Sequence, residues 1–139
     1  MLTLVCPLVT AVVICSVALP LTGQPPRPEK SARSAAQRKI NSQLLFEIYR
    51  RRGEAQQKGV PPGETGVKID ARGRALVDVR ANVTSALQNT IRGLGGTIVS
   101  TSRESHSIIA RVPLLKLERL AGIPAVRFIE PAADAITVR

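Results

Sequence analysis

Between residues 75 and 131 the apolar positions switch between a period of two and a period near 3.6, and the order of the switches implies a topology. Residues 75–81 (ALVDVRA) alternate, with Val77, Val79 and Ala81 on one side and Asp78 and Arg80 on the other, as in a half-buried strand. Val83, Leu87, Ile91 and Leu94 then recur at helical spacing, and Gly95-Gly96 supplies a stop. Residues 97–102 and 107–112 read as two more strands, joined by the polar turn Arg103-Glu104-Ser105-His106. Pro113 opens a second short helix carrying Leu114, Leu117 and Leu120, which Gly122 and Pro124 close. Residues 125–130 (AVRFIE) form a fourth strand, ended by Pro131. This order predicts an α+β domain of the split βαβ, or ferredoxin-like (βαββαβ), kind: a four-stranded antiparallel sheet with two helices on one face. Leu87, Ile91, Leu117 and Phe128 are expected to be buried together.

Upstream, residues 35–52 read as an amphipathic helix, with Ile40, Leu44 and Ile48 on one face, flanked by Leu45 and Tyr49. Arg50-Arg51-Arg52 in its last turn suits the helix dipole. Such a helix either docks on a membrane or a partner, or packs on the domain with its arginines in water. Residues 54–66, with Gly59, Pro61, Pro62, Gly63 and Gly66, form a connector. Residues 67–70 suggest a short edge strand that turns through Arg72-Gly73-Arg74 into the first main strand. Residues 24–34 are a polar, proline-rich linker, and residues 1–22 are uncharged and mostly apolar. The apolar run predicts a secretory signal peptide, cut after Ala18 or Gly23, and hence a secreted, periplasmic or extracellular product. Because no Lys or Arg precedes it, an uncleaved anchor is the second reading, and a membrane is expected as a partner only in that case. The expected organisation is residues 1–23 as signal peptide or anchor, 24–66 as linker plus helix, and 67–139 as the folded domain.

Composition narrows the chemistry. The chain carries 20 Lys and Arg against 10 Asp and Glu, a net charge of +10, spread evenly along residues 25–139. That balance favours acidic partners or surfaces without naming one. Nucleic acid is not expected, since there is no aromatic stacking platform, RNP-like motif or zinc ligand set. Both cysteines, Cys6 and Cys15, lie in the apolar run, so a mature form has no disulfide, thiol nucleophile or Cys-based metal site. A unit of about 57 residues buries only a modest fraction of its surface, which predicts low stability in isolation.

The candidates for catalysis are few. His106 is the one histidine and sits in a predicted turn between serines, a solvated position without a base or nucleophile nearby in the pattern. Asp78, Glu104, Glu118, Glu130 and Asp134 are scattered, with Glu118 expected on an exposed helix side, and they form no acid–base pair. The run Gly93-Leu94-Gly95-Gly96 follows a helix rather than preceding one, so it reads as a cap and not a phosphate loop. Asn82-Val83-Thr84 fits a glycosylation sequon, yet Asn82 or Thr84 suits a helix start better. A non-enzymatic protein without cofactor, metal or specific small-molecule ligand is expected.

Several of these stretches carry a resemblance. Leu94-Gly95-Gly96, Ile109-Ala110-Arg111-Val112-Pro113, Leu117-Glu118-Arg119-Leu120-Ala121 and the run from Pro124 through Arg127 to Pro131 are similar to the propeptide-like domains preceding the catalytic domain of bacterial subtilisin-like serine proteases. Residues 39–49 look like the segment upstream of that domain in some large members. The resemblance implies a ferredoxin-like fold whose sheet packs on the protease and assists its folding. It also implies a C-terminal tail that lies in the substrate cleft as an added strand and inhibits until cleaved. Applied here, it makes residues 132–139 the tail, with Asp134, Ile136, Val138 and Arg139 as the protease-contacting positions. A catalytic domain would follow Arg139 in such a protease, so the chain is expected to be a stand-alone relative of the propeptide or a truncated protease precursor. Two other readings are a non-inhibitory protein-interaction domain and a basic, membrane-associated adaptor using residues 35–52.

Overall fold

A computed structural model describes residues 29–133. The apolar run of residues 1–22 and the tail positions Asp134, Ile136, Val138 and Arg139 lie outside the described residues. Strands β1 (Arg74–Ala81), β2 (Thr97–Ser102), β3 (Ser107–Pro113) and β4 (Val126–Pro131) form one antiparallel sheet in the order β2-β3-β1-β4. Helices α1 (Ser42–Arg51), α2 (Ser85–Gly93) and α3 (Leu117–Ala121) accompany it, so the chain is α+β.

β1 alternates as its sequence demands: Ala75, Val77, Val79 and Ala81 are buried, while the residues between them are half-buried or exposed. Ile108, Ala110 and Val112 of β3 pair with Val79, Val77 and Ala75 and are buried with them. On this face lie the buried residues of all three helices: Leu44, Leu45, Ile48 and Tyr49 from α1, Leu87 and Ile91 from α2, and Leu117, Leu120 and Ala121 from α3. One aliphatic core therefore includes the upstream helix.

Local chemistry sets the helix ends. The Thr84 hydroxyl accepts the Leu87 N–H at 3.2 Å and caps α2. After α2, Gly95 adopts φ +88°, and the Gly96 N–H returns to the Ile91 carbonyl at 2.9 Å. A Cβ on Gly96 would sit 2.8 Å from both the Ile91 carbonyl and its Cγ2, so only glycine fits this approach. The helix expected from Pro113 begins instead as a 3-10 turn, Leu114–Lys116, and becomes α-helical only at Leu117.

Four further expectations are corrected. The helix predicted over residues 35–52 is broken: a 3-10 turn, Gln37–Lys39, ends at Ile40, whose backbone is extended (φ −107°, ψ 132°) and bridges Ile129 in parallel. Asn41 makes the restart possible, because its side chain accepts the Gln43 N–H at 2.9 Å while its own N–H donates to the Ile129 carbonyl at 2.8 Å. One residue thus caps α1 and covers the outer edge of β4. Second, Phe128 does not join Leu87, Ile91 and Leu117 in the core. A bulge at Arg80/Ala81 shifts the register, so Val126 and Ile129 face inward and Phe128 pairs with Arg80 on the other side. Third, Pro131 does not stop the strand at Glu130 but is itself the last residue of β4. It pairs with Val77, and the Ala132 N–H continues the ladder to the Leu76 carbonyl at 3.1 Å. On an edge strand a missing N–H is tolerated. The short strand expected at residues 67–70 is reduced to one bridge, Ile69 to Ala75, beside the Asp70–Arg74 turn.

Candidate protein-docking face

The second face of the sheet is built from the alternate residues of the same strands. No helix of the described residues packs on it, since the buried side chains of α1, α2 and α3 all belong to the core opposite. Across the strands, Arg111 lies opposite Leu76 and Thr97, and Ile109 opposite Asp78 and Ser100, while Arg80 has Ser107 on one side and Phe128 on the other. Leu76, Ile109 and Phe128 are half-buried and are not packed against the core; Arg80 and Arg111 are exposed.

Charge on this face is neutralised locally. The Ser107 hydroxyl donates to Asp78 Oδ1 at 2.5 Å, and the second Asp78 oxygen pairs with Arg80 at 3.1 Å. Arg80 also reaches Glu130 at 3.3 Å, so its guanidinium bridges the carboxylates of two strands. A chain of net charge +10 thus presents here a nearly balanced surface with three apolar side chains, which suits a protein partner better than a polyanion. At the end of the face where the chain departs, Val67, Lys68, Leu76, Pro131 and Ala132 line a groove of about 340 Å³.

Of the residues weighed for chemistry, Asp78 and Glu130 lie opposite each other on this face, bridged by Arg80, and the others fall elsewhere. His106 is exposed in the β2–β3 turn with φ +52°, and its carbonyl accepts the Ala81 N–H. Glu118, expected on an exposed helix side, is instead a half-buried clamp. It accepts from Gln37 Nε2 at 2.7 Å and is paired with Arg52, so it ties α3 to the residues on both sides of α1. Burial alone would push its carboxyl up, but the hydrogen bonds from Arg52 and Gln37 and the Arg52 charge outweigh this and hold it below the ordinary glutamate range. The Asp70 carboxyl is likewise lowered, chiefly by the Arg74 backbone N–H, then by the Arg74 side chain and the Arg72 N–H. Nothing in periodicity could have revealed the Glu118 clamp or the Ser107–Asp78 bond, because both join residues distant in sequence.

Among the described residues, no three His, Cys, Asp or Glu side chains come together as metal ligands, and no helix is long and apolar enough to cross a membrane. The apolar side of α1 is buried against the domain rather than free to enter a lipid surface. No family model, curated protein or solved structure matches the chain.

Proposed function

We propose that this chain is a propeptide-like module that binds a subtilisin-like serine protease through the open sheet face and delivers the segment after Ala133 to the substrate cleft. The strand order supports the split βαβ fold this reading requires. β3 lies between β1 and β2, and β1 lies between β3 and β4, so each helical crossover skips one strand. The observation that carries the reading is the combination of an uncovered, charge-balanced sheet face with a last strand that ends at Pro131, one backbone hydrogen bond short of the tail. The Ala132 N–H still donates to the Leu76 carbonyl at 3.1 Å, which supports delivery of the following segment as an added strand, the mode β-augmentation in a cleft requires. The Leu76 end of the face lies beside this exit.

The full chain should inhibit hydrolysis of a small peptide substrate by a cognate subtilisin-like protease. A version lacking residues 134–139 should bind the same protease, with its nucleophile inactivated, while losing most inhibition. Ile109→Asp, placed in the middle of the open face, should lose both binding and inhibition without unfolding. Equal inhibition by full and shortened chains would remove the tail from the mechanism. Absence of binding across several such proteases would leave the face to a non-inhibitory interaction with another protein.

A further inference from the structure

At the end of the domain where β1 begins and β3 ends, a cleft of about 280 Å³ is lined by the cations Arg51, Arg72 and Lys116 together with Pro113, Leu114 and Leu115. These residues come from the last turn of α1, the turn before β1, the end of β3 and the 3-10 turn after it. The cleft is held in shape from beneath. The Leu114 N–H donates to the Gly73 carbonyl at 3.0 Å, and the Gly73 N–H to the Asp70 carbonyl at 2.9 Å. One oxygen of the Asp70 carboxylate accepts the Arg72 and Arg74 N–H groups, both at 2.9 Å. Leu114 is buried, whereas Leu115 next to it is 50% exposed.

Two features of this cleft are unusual on the described surface. Leu115 is one of two large hydrophobic side chains left exposed, the other being Val99 at the bulged outer edge of the sheet. No carboxylate lines the cleft, and Arg72 and Lys116 form no ion pair there; Arg51 reaches back to Glu47 at 3.3 Å in an exposed contact. A lining that joins apolar side chains to three cations, one of them shared with Glu47, is complementary to one kind of ligand: an apolar side chain flanked by carboxylates.

We propose that this cleft docks an acidic segment of a partner protein, an extended peptide that sets a leucine-sized side chain on Leu115 and Pro113 with aspartate or glutamate on either side. The carboxylates pair with Arg72, Lys116 and Arg51, where guanidinium groups offer bidentate hydrogen bonds. A lipid surface fits less well, because the site is concave and offers a single exposed leucine, too little apolar area to hold a membrane. Single-stranded nucleic acid would need an aromatic platform, and no aromatic side chain lines the cleft. The inference stands apart from the protease reading, since it names the chemistry of a bound segment and not the protein carrying it.

A fluorescein-labelled peptide with one leucine between pairs of glutamates, titrated with the full chain and followed by anisotropy, tests it. Saturable binding that weakens as salt is raised is expected. The double variant Arg72→Glu with Lys116→Glu should weaken binding by roughly tenfold or more, and Leu115→Ser by roughly fivefold. Replacing the peptide's leucine by serine should reproduce the Leu115→Ser loss. Arg103→Glu with Arg127→Glu makes the same change in net charge away from the cleft and should leave binding nearly intact. If the first double variant fails to fold by circular dichroism, Leu115→Ser and the serine peptide decide the matter. No saturable binding, an equal loss in both double variants, or tighter binding to phosphatidylserine vesicles or to an oligonucleotide of equal length would each overturn the proposal.

Discussion

Val77 and Val79 enter the core from β1, while Asp78 and Arg80, their immediate neighbours, lie on a face that no helix of the described residues covers. The two sides of one sheet are thus held by different means. On the covered side, aliphatic residues from every strand except β2 and from all three helices are buried together, and stability there comes from removing apolar area from water. On the open side the strands are joined by a hydroxyl–carboxylate bond and a guanidinium shared between Asp78 and Glu130, contacts that water and salt can compete with. The contrast separates what keeps the domain folded from what it can offer a partner. Substitutions should divide accordingly.

The largest effect is expected from Leu117→Ala on the covered side, at about 2–5 kcal/mol in a denaturant titration, set against about 1 kcal/mol or less for Phe128→Ala on the open side. Comparable losses would mean that Phe128 supports the fold after all and that the faces are not distinct. Gly96→Ala should come next, at about 1–3 kcal/mol, because its methyl would meet Ile91 where α2 turns into β2; an unchanged melting temperature would show that this approach relaxes freely. Removing the Ser107 hydroxyl with Ser107→Ala should cost about 0.5–1.5 kcal/mol, since Arg80 still pairs with Asp78.

The smallest effect is a pH dependence. The Glu118 carboxyl titrates lower in the folded chain than in the unfolded one, so its contribution is complete above the ordinary glutamate value of about 4.3 and fades as pH falls through the lower folded value. The stability difference between the parent and Glu118→Gln should therefore shrink on acidification below about pH 4.3 and stay level above it. A difference that grows on acidification would contradict the lowered carboxyl.

Much of this contrast was legible in the sequence. Alternation in residues 75–81 told the faces of β1 apart, helical spacing found Leu87 and Ile91, and Leu94-Gly95-Gly96 marked the end of α2, because each of these signals is local. The failures share a cause. Ile40 fits the apolar stripe of α1 and is indeed buried, but its extended backbone is dictated by Ile129, far along the chain. Phe128 is expected in the core as the one aromatic of the unit, but the register shift from Arg80–Phe128 to Ala81–Val126 leaves Arg127 as an extra residue in β4 and sends Phe128 outward, and only the pairing with β1 reveals it. The cations around Leu115 come from separate elements, so no spacing rule could gather them. The open face could be outlined from β1 alone, but its ion pairs needed the register of β3 and β4.

The joining of Ile40 and Asn41 to Ile129 has a bearing on how the chain would withstand being cut. Residues 54–66 are rich in glycine and proline and mostly exposed, the kind of segment proteases enter first. A nick there would free α1 from the sheet in the covalent sense only. Leu44, Leu45, Ile48 and Tyr49 would remain sunk in the shared core, and the Asn41 N–H would still hold the last strand. The nicked domain would travel as one particle in gel filtration and separate into two peptides under denaturant. Two halves made apart on either side of this connector are expected to find each other when mixed.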